Sequence, residues 1–260
     1  MQLPIYQVDA FTKDLFKGNP AAVVFCDSFL PAPTMQSIAA ENNLAETAFV
    51  VRQEDFVQIR WFTPTIEVDL CGHATLAAAH VIFNHLGFAG DAVSFQSKSG
   101  ALAVRREREI LYLDFPADQF SRVDPPQFLI EGLGCRPRET YKGRSDFLTI
   151  FEDEDEIVSM CPNLGLISKV PSRGVIVSSP GREVDFVSRF FAPQSGIPED
   201  PVTGSAHTTL IPYWSARLTQ RRLSARQLSK RGGELVGKDL GERVEIGGRA
   251  ITYLVGGIFV

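Results

Sequence analysis

One pattern occurs twice in this chain. Arg60-Trp61-Phe62-Thr63-Pro64 leads through Glu67 to Gly72-His73-Ala74, and Arg189-Phe190-Phe191-Ala192-Pro193 leads through Glu199-Asp200 to Gly204-Ser205-Ala206. Each time an apolar run of strand character stops at a proline, an acidic residue follows, and a glycine opens a helix of small residues. The second copy carries three more residues between proline and glycine. The shared Arg-aromatic-Phe-x-Pro points to duplication. Two like halves tend to pack about a pseudo-twofold axis, so each is expected to present one helix N-terminus, at Gly72 and at Gly204, toward a shared cleft.

A helix N-terminus has unpaired N–H groups and a positive partial charge, and glycine lets a ligand approach the backbone. Two such termini suit a carboxylate or an enolate-like oxyanion; two core helices with ordinary caps would show the same residues. His73 and Asp200 lie beside these starts, and Ser205 occupies the place of His73 in the second copy. Singly, Asp200 reads as a helix cap and His73 as a buried, backbone-bonded histidine. At equivalent points of a repeat they form a constellation. Glu46, in Asn43-Leu44-Ala45-Glu46-Thr47-Ala48-Phe49, sits where a helix gives way to a strand. Among apolar neighbours it is suited to move protons near neutral pH, though an exposed helix-end glutamate would read alike.

Strands are expected over 3–10, 21–25, 48–51, 57–62, 93–96, 101–105, 110–115, 174–178 and 184–191. Helices are expected over 35–42, from His73 to Leu86, and from Gly204 to Leu218. The first of the last two is apolar nearly all round, which marks a buried helix. Pro116 opens a looser stretch. It divides an N-terminal half, 1–115, completed by a last strand at about 252–260, from a C-terminal half, 116–251. The acidic run Glu152–Glu156 fits a helix N-terminus. The tail reads as two hairpin-like strands with turns at Gly232-Gly233 and Gly247-Gly248.

The formal net charge of −5 on 260 residues argues against a nucleic-acid or membrane-surface binder. Four scattered cysteines, Cys26, Cys71, Cys135 and Cys161, form no CxxC pair, so neither a zinc motif nor a disulfide framework is expected. Reduced thiols fit a cytoplasmic protein. The first residues lack a signal-peptide pattern, and no apolar stretch is long enough to span a bilayer. His73 and His80 are two turns apart and make no zinc motif; His80, His85 and His207 read as structural. No phosphate loop or Gly-x-Ser-x-Gly is present, and no cofactor or metal is expected.

The segments Asp9-Ala10-Phe11, Gly18-Asn19-Pro20-Ala21-Ala22-Val23, Asn43-Leu44-Ala45-Glu46-Thr47, Phe62-Thr63-Pro64, Cys71-Gly72-His73-Ala74-Thr75, Glu199-Asp200-Pro201-Val202-Thr203-Gly204-Ser205-Ala206-His207 and Gln227-Leu228-Ser229-Lys230-Arg231-Gly232-Gly233 resemble the PhzF family of phenazine-biosynthesis-like isomerases. They cover nearly the whole chain in the family's order. The resemblance implies an α+β, diaminopimelate-epimerase-like fold, with two halves that each wrap strands around a central helix. It also implies a homodimer and no cofactor; the two helix starts add a small carboxylate as the substrate. By the same resemblance Glu46, His73 and Asp200 are catalytic, and Gly72, Gly204 and Ser205 bind substrate. Ala45 stands where many members carry Ser. Two-thiol epimerases of this fold need a cysteine at each helix start; here Cys71 is matched by Thr203. The reading is a cofactor-independent isomerase that shifts a proton between carbons, with Glu46 as acid and base. Its competitors are a one-thiol epimerase or racemase using Cys71 and a catalytically silent binding protein.

Overall fold

The computed structural model describes residues 1–260, which form two compact units: Met1–Asp114 with Gly247–Val260, and Phe115–Ile246. In the first, β1 (Gln2–Ala10) and β2 (Asn19–Cys26) are antiparallel. Helix α1 (Ala32–Asn42) returns the chain so that β3 (Glu46–Arg52) runs parallel to β2. β4 (Val57–Phe62) turns back on β3, and the short β5 (Glu67–Val68) folds onto β4. Helix α2 (Gly72–His85) leads to β6 (Ala92–Ser97), which is parallel to β4. Two antiparallel steps add β7 (Gly100–Glu107) and β8 (Ile110–Pro116).

The second unit contains β9 (Ser121–Arg122), α3 (Gln127–Leu133), β10 (Glu139–Lys142), β11 (Asp146–Ile150), α4 (Glu154–Ser159) and α5 (Leu164–Ile167). β12 (Gly174–Pro180), β13 (Phe186–Phe191), α6 (Gly204–Leu218), β14 (Arg222–Gln227), β15 (Gly233–Asp239) and β16 (Arg243–Gly248) follow. The last strand, β17 (Ala250–Phe259), lies antiparallel to β1 in the first unit.

The duplication read from sequence is present in the sheet connectivity. β2 and β3 are parallel, β3 and β4 antiparallel, β4 and β6 parallel, β6 and β7 antiparallel. The same succession runs through β11, β12, β13, β14 and β15. In each series the long helix, α2 or α6, connects the third strand to the fourth. The repeated arginine has the same task in both copies. Arg60 clasps Glu67 with two bonds of 2.7 and 2.9 Å, and Arg189 clasps Glu199 with two of 2.7 and 3.1 Å. Such forked pairs pin the loop after the proline.

Each long helix is the centre of its unit. Residues 73–79, Val81, Ile82 and Phe83 of α2 are all buried, against β1, β2, β3, β7 and β17. Alanines let the strands approach closely, and burial of each larger side chain adds roughly 1.5–3 kcal/mol. Helix α6 packs on β11, β14 and β15; its Trp214 stacks on Phe186 and donates Nε1–H to Ser178 Oγ at 2.9 Å. Outer helices cover a second core in each unit. Met35 and Ala39 of α1 join Phe49 and Phe62, while Leu129, Leu133, Ile157 and Ile167 join Phe147 and Phe191.

Three expectations need correction. The stretch after Pro116 is not loose but holds β10, β11 and three short helices. Its best strand, Asp146–Ile150, is wholly buried and five residues long, too short for a period to show. The tail has four strands rather than two. The return to the first unit comes at Gly247 rather than at 252. Gly247-Gly248 is accordingly no turn: both belong to β16, and a Cβ on Gly248 would lie 2.4 Å from the ring of Phe11. That glycine is required for close approach.

Candidate active site

The first unit gathers Glu46, His73 and Cys71. Helix α1 ends at Asn43 in the left-handed conformation, φ 47°, which suits asparagine. Asn42 Nδ2 donates to Thr47 Oγ1 at 3.0 Å, tying the turn to the strand it feeds. Glu46 is thereby the first residue of β3, opposite Ala21 of β2. Its carboxylate Oε2 lies 3.1 Å from His73 Nε2, with the two side chains 14% and 8% exposed. The approach is close but bent away from a straight N–H···O line.

His73 is the second residue of α2, and Cys71 is its N-cap residue. Cys71 Sγ sits 3.5 Å from the other ring nitrogen, Nδ1. The imidazole therefore stands between a thiol and a carboxylate. Burial pushes the Cys71 thiol up, and the Glu46 carboxylate pushes it further. For His73 burial acts downward, but the neighbouring Cys71 and Glu46 outweigh it and hold the imidazole well above its ordinary value.

The second unit gathers Asp200, Thr203, Gly204, Ser205 and two residues assigned no role from sequence, Gln227 and Arg173. The Thr203 hydroxyl donates to Asp200 Oδ2 at 2.5 Å. Gln227, fully buried at the end of β14, receives Thr203 N–H at 2.9 Å and donates to the Asp200 carbonyl at 2.8 Å and to Thr203 Oγ1 at 3.1 Å. Ser205 is exposed, and its Oγ accepts from Arg173 Nη1 at 3.0 Å. Arg173 is forked onto Asp146 through Nε and Nη2. Gln227 had a legible signal, a polar residue in an otherwise apolar-facing strand next to Gly232-Gly233; Arg173 had none.

Both helices start without a side-chain cap from their N-cap residues, Cys71 and Thr203. The backbone N–H groups at Gly72 and Gly204 belong to such starts. His207, one turn into α6, is buried; its Nδ1 is 2.8 Å from the Thr203 carbonyl, and burial lowers it to about 4. It is therefore neutral, with Nδ1–H as donor. His80 and His85 share Thr252 Oγ1, at 3.0 and 2.8 Å. The four cysteines are all free. Glu46, Cys71 and His73 are the residues with donor atoms close enough to hold a metal ion, all within 4.8 Å of one another. No helix is long and apolar enough to cross a membrane.

Strands wrapped on a central helix, twice, define an α+β fold of the diaminopimelate-epimerase type. The same fold is seen in a probable proline racemase from Agrobacterium radiobacter, with a TM-score of 0.65 over 99% of this chain and 93% of that one at 11% identity. The chain belongs to the phenazine biosynthesis-like (PhzC-PhzF) family, whose model matches residues 8–256. It is 50% identical over 99% of both chains to an uncharacterized isomerase of Pseudomonas aeruginosa. A crystal structure of a PhzF-family phenazine biosynthesis protein from Enterococcus faecalis superposes with a TM-score of 0.97, at 46% identity and full coverage of both chains. The protein is an isomerase.

Proposed function

We propose that this isomerase shifts a proton between two carbons of a small carboxylate, with Glu46 as the single acid–base group. Glu46 takes a proton from one carbon, leaving the electron pair delocalised toward the substrate's unsaturated or carboxylate group. It then returns the proton to another carbon, so nothing is oxidised or reduced. His73 orients the carboxylate from one side. Asp200, held by Thr203 and Gln227, positions the substrate, and the N–H groups at Gly72, Gly204 and Ser205 receive its carboxylate or developing oxyanion. The chemistry needs only these groups, without a cofactor.

The observation that carries this reading is the close Glu46–His73 pair, together with the lack of a second such carboxylate. Thr47 faces Phe62 across β3 and β4, and Val175 faces Phe191 across β12 and β13. Phe62 and Phe191 match in the repeat, so Gly174 is the counterpart of Glu46. One acid–base group suits a proton shift; a two-base inversion would need a partner there. A one-thiol mechanism is disfavoured, because burial and the Glu46 carboxylate both push the Cys71 thiol up, away from the reactive thiolate.

Solvent-deuterium incorporation over a panel of small cyclic and amino carboxylates, read by mass spectrometry, tests the proposal. Exchange by wild type that disappears in Glu46→Gln supports it; exchange retained in that variant overturns it. A cytoplasmic homodimer belongs to the same proposal. The dimer is supported by the uncharged outer run of β17, where Tyr253, Val255 and Phe259 are 48%, 60% and 84% exposed. Light scattering checks the dimer.

A further inference from the structure

Cys71 is left without work in a carboxylate mechanism, yet it completes a donor set. Cys71 Sγ and His73 Nδ1 are 3.5 Å apart. Sulfur and nitrogen ligands on one tetrahedral zinc ion, with bonds of about 2.3 and 2.0 Å, stand about 3.5 Å apart as well. The start of α2 fixes this edge, since both residues are buried within its first turn. The third donor is movable. Glu46 lies half-buried at the head of β3, and its carboxylate reaches the opposite ring nitrogen at 3.1 Å. Metal binding therefore requires the Glu46 side chain to turn round the ring edge toward Nδ1; one donor atom from each of the three residues already lies within 4.8 Å of the other two.

We infer that Glu46, Cys71 and His73 form a binding site for a thiophilic divalent cation, zinc above all. One thiolate, one imidazole and one carboxylate suit a borderline-soft ion and leave a fourth position open. On binding, Cys71 releases its proton to solvent and Sγ bonds the metal, with no change of oxidation state. The ion takes the carboxylate that the proposed reaction needs, so occupancy and proton shift exclude each other. That exclusion rests on the role given to Glu46; the binding itself does not.

The test uses the full chain with exposed Cys135 and Cys161 replaced by serine, so that Cys71 and the buried Cys26 are the remaining thiols. Titration with Co²⁺ alone should produce a thiolate-to-cobalt charge-transfer band saturating at one equivalent, and Zn²⁺ should displace it. Cys71→Ser should abolish the band. Glu46→Gln, which leaves the helix start untouched, should weaken affinity by at least about tenfold, the cost of losing even an outer partner. No band in the parent, a band surviving Cys71→Ser, or unchanged affinity in Glu46→Gln would overturn the site. These readings require no substrate and stand apart from any failure of the isomerase mechanism. With an exchanging substrate in hand, deuterium exchange persisting at saturating Zn²⁺ would refute the exclusion.

Discussion

The starts of α2 and α6 share a backbone and differ in what they carry. Cys71 and Thr203 are both extended, at φ −144° and −110°, and each hands over to glycine. In the first unit the next residue is His73, turned onto a carboxylate of β3. In the second it is Ser205, held by Arg173, while Thr203 and Asp200 are locked by Gln227. One copy sets a carboxylate against an imidazole; the other keeps a network in which each partner is fixed. A duplicated scaffold allows this division, because the strands that support each helix need not change when the residues at its tip do.

The largest effect expected from breaking the contrast is at Glu46. Glu46→Gln keeps the shape beside His73 and removes the mobile proton. Deuterium exchange should fall by about a hundred- to ten-thousand-fold, the usual worth of general acid–base catalysis, with the melting temperature near wild type. Next comes the fixed network. Gln227→Leu leaves the Thr203 N–H and the Asp200 carbonyl without their buried partner, at about 1–3 kcal/mol for each such group. Urea denaturation should show a loss of about 3 kcal/mol.

The histidines separate the two starts by the sign of their pH dependence. His207 is lowered to about 4 in the folded protein, so the unfolded chain binds its proton first. Its contribution to stability is therefore lost as pH falls from about 6.5 toward 4, by about 3 kcal/mol at most. His80, also lowered to about 4, acts the same way. His73 is raised, so its contribution is present at low pH and is lost as pH rises through its folded value. Unfolding free energies measured over this range should fall on acidification in wild type, and less steeply in His207→Gln.

Two smaller effects sharpen the comparison. Gly174, the counterpart of Glu46, has no space for a side chain: a Cβ there would lie 2.3 Å from the ring of Phe190. Gly174→Ala should cost about 2 kcal/mol by overpacking, seen in the same denaturation assay. Cys71→Ser should leave exchange within about tenfold of wild type. A loss of about a thousandfold with the fold intact, about 4 kcal/mol of barrier, would make the thiol the base.

Much of this was legible because the duplicated segment carries strong local signals. Arg60 and Arg189 sit at matched points before matched prolines, and α2 is apolar all round, so the central helices and their starts could be placed to within a residue. Glu46 could be placed at the head of a strand because Asn43 breaks the helix before it. What could not be read depends on distant pairing. Arg173 meets Ser205 only once β12 and α6 are packed, and Gln227 reaches Thr203 from a strand that follows the helix. Gly247-Gly248 looked like a turn, because nothing local to it announces Phe11. The stretch from 116 to 173 builds its elements from pieces of two to seven residues, too short for periodicity to decide.

The pairing of β1 with β17 has a consequence for how the molecule is made. Gln2 faces Phe259 and Ala10 faces Ala250, so β1 waits for a strand made about 240 residues later. The second unit, 115–246, is continuous and can complete its core while translation proceeds. The first cannot: until β17 emerges, β1 has one edge unpaired and α2 lacks part of its cover. The unit that carries Glu46 and His73 therefore matures last, by a long-range closure that is slow to form, and its exposed edge is the point at which nascent chains are most open to mispairing.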